Sequence, residues 1–128
     1  MKEFISLYAI ATAIFVVIDM IWLTLVAKNF YKEKLKHLLA EKASLVPAVA
    51  FYLLFIVGLV TFVIKPNLEV SLGVVMSRGA LFGLVTYATY DLTNQATIKK
   101  WPVAITVVDL IWGTVLSATI CMLTVALY

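Results

Sequence analysis

Residues 45–64 read LVPAVAFYLLFIVGLVTFVI, a run of 20 residues without a single charge. At about 1.5 Å per residue such a run makes a helix of about 30 Å, the thickness of a bilayer's hydrocarbon core. It shows no period-two alternation, so it reads as a helix and not as a strand of a barrel. Pro47 falls in the first turn, where its missing N–H costs nothing, and Ser44 stands before it as a candidate cap.

Three more stretches of this kind flank it, over residues 4–26, 70–90 and 103–127. Composition explains why lipid must surround them. Of 128 residues 64% are hydrophobic and 13% charged, against about 25% charged in a soluble domain. A soluble fold this small has too little interior to hide so much apolar surface. The sequence therefore predicts an all-α integral membrane bundle of four transmembrane helices, one domain over residues 1–128. The first stretch is too long for a signal peptide's apolar region, carries Asp19 and lacks a small-residue cleavage site, so it reads as a span. The lone Cys121, inside the fourth span, leaves no partner for an intrachain disulfide.

The lysines predict orientation. Lys28, Lys32, Lys34, Lys36 and Lys42 lie in the first connection, and Lys99 and Lys100 in the third; the opposite side has Lys2 and Lys65. By the positive-inside rule the first and third connections are cytoplasmic and both termini are outside. A pI near 9.0 comes from cations beside membrane helices, which suit anionic headgroups rather than nucleic acid. The lipid bilayer is the expected partner.

Within the first connection Tyr31, Leu35, Leu38 and Leu39 recur at helical spacing, with Lys32, Glu33, Lys36 and His37 turned away. This predicts a short interfacial amphipathic helix over residues 29–43. His37 has no second His or Cys pair with which to bind metal and reads as a surface histidine near Glu33 and Glu41. The second connection, residues 65–69, is a tight turn. The third is richer: residues 87–97 hold three threonines, two amides and Asp91 between Tyr87, Tyr90 and the Trp101-Pro102 pair. Either these groups cap the third helix and form a headgroup-level turn, or Asp91, Asn94 and the hydroxyls line a polar site.

Three charges fall inside the spans, where an ionised group is costly and normally faces protein or water: Asp19, Arg78 and Asp109. Asp19 is eight residues from Ala27 and Asp109 eight from Trp101, so both sit roughly 12 Å below one boundary. Arg78, about 8 Å deeper by the same rise, is expected to reach one of them with its long side chain. Asp19-Met20-Ile21-Trp22-Leu23-Thr24 and Asp109-Leu110-Ile111-Trp112-Gly113-Thr114 share the pattern Asp-x-Ile-Trp-x-Thr. Because their helices run in opposite directions, Trp22 is expected near the interface and Trp112 deeper, in need of a partner for its indole N–H. Thr106, Asp109, Gly113 and Ser117 form one stripe, and Gly79 and Gly83 another, which suits close helix packing. Thr12 shares a face with Asp19. The second span, with no internal charge, reads as the most lipid-facing helix.

The block from Tyr87 to Asn94, with Ala96-Thr97, Trp101-Pro102 and Thr106-x-x-Asp109-x-x-Trp112-Gly113, resembles the hallmark of a family of small bacterial inner-membrane proteins known only as a domain of unknown function. Asp19-x-x-Trp22-Leu23 is similar to its early pattern. The resemblance, which covers nearly the whole chain, implies four transmembrane helices in a bacterial inner membrane. It also implies a link to membrane-lipid metabolism, since members are encoded near lipid-modifying methyltransferases of the cyclopropane-synthase type.

Three classes of function follow. One is a binding protein or small transporter, oligomeric because four helices enclose little volume. Its cytoplasm-facing polar cluster would comprise Asp19, Trp22, Arg78, Tyr87, Tyr90, Asp91, Asn94, Asp109 and Trp112. Another is an accessory subunit of a lipid-modifying enzyme, with the charges purely structural. The third, an enzyme in its own right, is disfavoured: no nucleophile with a base, metal set, phosphate loop or cofactor motif is present. No catalytic residue, metal or cofactor is assigned.

Overall fold

The computed structural model describes all 128 residues and is entirely helical. Helix α1 spans Lys2–Ile21 and runs on through a π-helical turn, Trp22–Val26. A short α2 follows at Lys28–Lys34. Helix α3, Leu45–Leu59, also continues in a π-turn, Val60–Ile64, and ends in the 3₁₀ turn Lys65–Asn67. Helices α4, Leu72–Thr97, and α5, Val103–Leu127, complete the chain. Four helical stretches, Lys2–Val26, Leu45–Asn67, Leu72–Thr97 and Val103–Leu127, are long and apolar enough to cross a membrane.

The core is one apolar cluster that runs up the middle of the bundle. Leu7, Ala11 and Phe15 of α1 meet Leu116, Ile120 and Cys121 of α5, Val75 of α4, and Phe55, Ile56, Leu59, Val60, Val63 and Ile64 of α3 with its π-turn. The second span is therefore not the lipid-facing helix its lack of charge suggests. Its second half fills the core, while Leu45, Val46 and Leu54 in its first half are exposed. A stretch that is apolar all round looks the same whether it meets lipid or protein.

Helices α4 and α5 pack closest, because glycine removes the side chains between them. A Cβ on Gly79 would stand 2.9 Å from the Cys121 sulfur and from the Ser117 carbonyl oxygen. One on Gly83 would collide with the Gly113 carbonyl oxygen and the Ser117 side chain, and one on Gly113 with the Tyr87 ring. Such small-residue contacts hold membrane helices by packing where lipid offers no hydrophobic drive. The contact pinches the bundle in its middle and leaves its lysine-rich end open.

Two local expectations change. Residues 87–97 are not a turn: α4 runs to Thr97, 26 residues in all, or about 39 Å. Its threonines bond back into their own helix. Thr89 donates to the Val85 carbonyl at 2.7 Å, Thr93 to that of Thr89, and Thr97 to that of Thr93 at 2.8 Å. The hydroxyls are thereby satisfied without leaving the helix. The interfacial helix, in turn, stops at Lys34. Beyond it the chain turns so that His37 Nε2 donates to the Lys100 carbonyl at 3.0 Å, which ties the first connection to the third. Lys100 holds the left-handed conformation (φ 61°) in the sharp bend between α4 and α5.

Candidate functional site

At the lysine-rich end the helices part around a cavity of about 610 Å³. Its walls are Asp19, Trp22 and Leu23 of α1; Tyr31, Leu35 and Leu39 of the first connection; Ala48, Phe51 and Tyr52 of α3; Thr86, Tyr87 and Tyr90 of α4; and Trp101, Asp109 and Trp112 at the start of α5. It is an aromatic chamber with two carboxylates in its wall.

Each carboxylate has donors. Trp112 donates its indole N–H to Asp19 Oδ1 at 3.3 Å, and the Tyr52 hydroxyl also faces Asp19. Tyr31 donates its hydroxyl to Asp109 Oδ1 at 2.5 Å and accepts the Trp22 indole N–H at 3.2 Å. Burial, and then the Asp109 carboxylate it donates to, hold the Tyr31 phenol protonated well above its ordinary range. Trp22 and Trp112 stack with centroids 4.1 Å apart and planes within 8°. The tryptophans of the two Asp-x-Ile-Trp-x-Thr segments thus meet at one level instead of lying at different depths. The reason is the lean of helical side chains towards the helix N-terminus. Because α1 and α5 are antiparallel, the two indoles lean towards each other.

The same lean misplaces Arg78. It is exposed on α4 and donates to Oδ1 of Asn67, far from the cavity, and neither aspartate receives it. The α4 N-terminus lies at the opposite end, so the guanidinium points away from the carboxylates. Asn67 is buried and donates to the Val63 carbonyl at 2.6 Å, so it can present its oxygen to the arginine. The expected ion pair does not form.

Of the residues singled out from sequence, Asp19, Trp22, Tyr87, Tyr90, Asp109 and Trp112 line the cavity. Asp91 and Asn94 do not. Asp91 is wholly buried behind Asp109, with no donor to either of its oxygens; Asn94 lies beside Tyr90 on α4. Gly79, Gly83, Gly113 and Ser117 form the pinch below. Thr12 bonds its own helix at the Tyr8 carbonyl. Sequence reasoning missed Tyr31, Tyr52 and Trp101. A tyrosine on the apolar face of a short amphipathic segment, and another in an otherwise aliphatic span, were the available signals. Trp101 donates to Thr106 at 3.1 Å and meets Tyr90 edge-on, closing the chamber's rim. No three His, Cys, Asp or Glu side chains converge as a metal set requires.

Four apolar helices around an aromatic, carboxylate-bearing chamber define a polytopic membrane protein. The chain belongs to the family described as Predicted membrane protein (DUF2177), whose profile matches residues 4–126. No curated protein and no solved structure matches it.

Proposed function

We propose that this is a binding protein for an amphipathic molecule whose headgroup is cationic or rich in hydroxyls, taken up at the cytoplasmic face of a bacterial inner membrane. One observation carries the reading: Asp19 and Asp109 face an aromatic chamber into which the protein sends no cation of its own. Carboxylates attract a positive headgroup, and Trp and Tyr faces add cation–π attraction. Anions are repelled. Leu23, Leu35, Leu39, Ala48 and Phe51 supply an apolar flank for a hydrocarbon tail. The seven lysines of the first and third connections surround the mouth, which by the positive-inside rule makes it cytoplasmic. Tyr31 reaches over Asp109 from the first connection, so α2 is the element whose movement admits the headgroup.

The test is calorimetric titration of protein in a non-ionic detergent with three probes of equal tail: hexyltrimethylammonium, hexyl glucoside and hexyl sulfate. Binding of the first two and not the third is expected, with at least about a tenfold loss for the cation in Asp109→Asn, the worth of one charge-assisted contact. Preference for the sulfate would overturn the reading.

A further inference from the structure

Asp91 is the one acid of the spans for which the chamber has no use. Its side chain is wholly buried, neither oxygen meets a donor, and the group it faces is the Asp109 carboxyl. Two carboxylates are acceptors only; side by side they repel and can make no hydrogen bond. A single proton changes this, because it turns one of them into a donor to the other. The neighbours supply no alternative. Tyr87 and Tyr90 of α4 face Asp91, and Tyr31 of α2 reaches the pair through Asp109. All three are phenols. The only arginine is engaged by Asn67, and His37 by the Lys100 carbonyl. Asp19 differs, since Trp112 and Tyr52 donate to it.

We propose that Asp91 and Asp109 share one proton, and that a cationic headgroup entering the chamber beside Asp109 releases it, so that the site exchanges a cation for a proton. This rests on the reading of the chamber as a cation site. The charges balance. Before binding the pair carries one proton and one negative charge. Afterwards it carries two negative charges, one offset by the ligand, and the proton leaves through the chamber past Asp109. The membrane interior gains no net charge, which makes entry of a cation affordable at this depth. Affinity then rises with pH by about tenfold per unit wherever the free pair holds its proton.

Two measurements on the full chain test this separately from the binding reading. Infrared spectra of the ligand-free protein at neutral pH should show a protonated-carboxyl carbonyl band, absent in Asp91→Asn, whose amide donates to Asp109 in the proton's place. Titration with hexyltrimethylammonium in two buffers of different ionisation enthalpy should show close to one proton released per cation bound in the wild type, and none in Asp91→Asn. If that variant does not fold, the wild-type band and proton count decide alone. Absence of the band, with the cation still bound, would overturn the shared proton and leave the cation site standing. A band that persists with no proton released on binding would overturn the exchange. No binding of the probe would overturn both the exchange and the cation site beneath it.

Discussion

The indole of Trp112 and the carboxylate of Asp19 are 93 residues apart in sequence, yet their hydrogen bond, at 3.3 Å, joins the first span to the last. Its counterpart runs from Trp22 through the Tyr31 hydroxyl to Asp109. Each tryptophan thus serves the aspartate of the other segment, one directly and one through a phenol.

Trp112→Phe keeps a ring in the stack and removes the donor. Unfolding in detergent should show a loss of about 2 kcal/mol, the worth of a hydrogen bond to a charged group. Combined with Asp19→Asn the two losses should fall short of additive by at least about 0.5 kcal/mol, since they remove one bond. Strict additivity would mean the bond contributes nothing.

Tyr31 gives the pH dependence. Its phenol is raised above the ordinary 10.0 by burial and by Asp109. The stability it contributes is present in full below pH 10 and is lost as pH climbs through the folded-state value. In an alkaline absorbance titration of the folded protein, Tyr31→Phe should leave the phenolate amplitude between about pH 10 and 11 unchanged. The same variant should speed hydrogen exchange across residues 28–44, because the tether of α2 is cut. An amplitude drop of one tyrosine would show that the phenol is freely ionised.

The pinch between α4 and α5 predicts a contrast among glycines. Gly83→Ala drives a methyl into the Gly113 carbonyl and Ser117 and should cost about 1–3 kcal/mol. Gly73→Ala meets nothing within 4 Å and should be neutral or slightly stabilising in the same unfolding assay.

Orientation is open to direct measurement. Reporter fusions at Tyr128 should be active outside the cytoplasm, and insertions in the first connection inside it. Replacing the lysines of that connection by glutamine should scramble the result. A cytoplasmic C-terminus would invert the chamber.

Much of this was legible in the sequence. Length and hydropathy mark four spans because lipid demands continuous apolar helices, and the equal depths of Asp19 and Asp109 follow from counting residues. Three things were not legible, each for a physical reason. Polar residues 87–97 look like a turn until their threonines are seen to bond their own backbone. Arg78 looks like the aspartates' partner until the lean of its helix carries it to Asn67. Tyr31 and Tyr52 look like interface and lipid residues, because only tertiary packing decides which phenols face a carboxylate.

The π-turn at Trp22–Val26 has a consequence for how the chain tolerates change. Its closing bond, from the Ala27 N–H to the Trp22 carbonyl at 2.8 Å, spans five residues where an α-helix would span four. The turn is in effect one residue inserted into a helix. Deleting Leu25 would restore regular winding and rotate everything beyond it by about 100°. The fourth-to-first-span bond from Trp112 to Asp19, upstream of the cut, would survive, but Tyr31 would swing off Asp109. A single-codon deletion in an exposed, apolar stretch would therefore leave a folded bundle with its chamber unlatched.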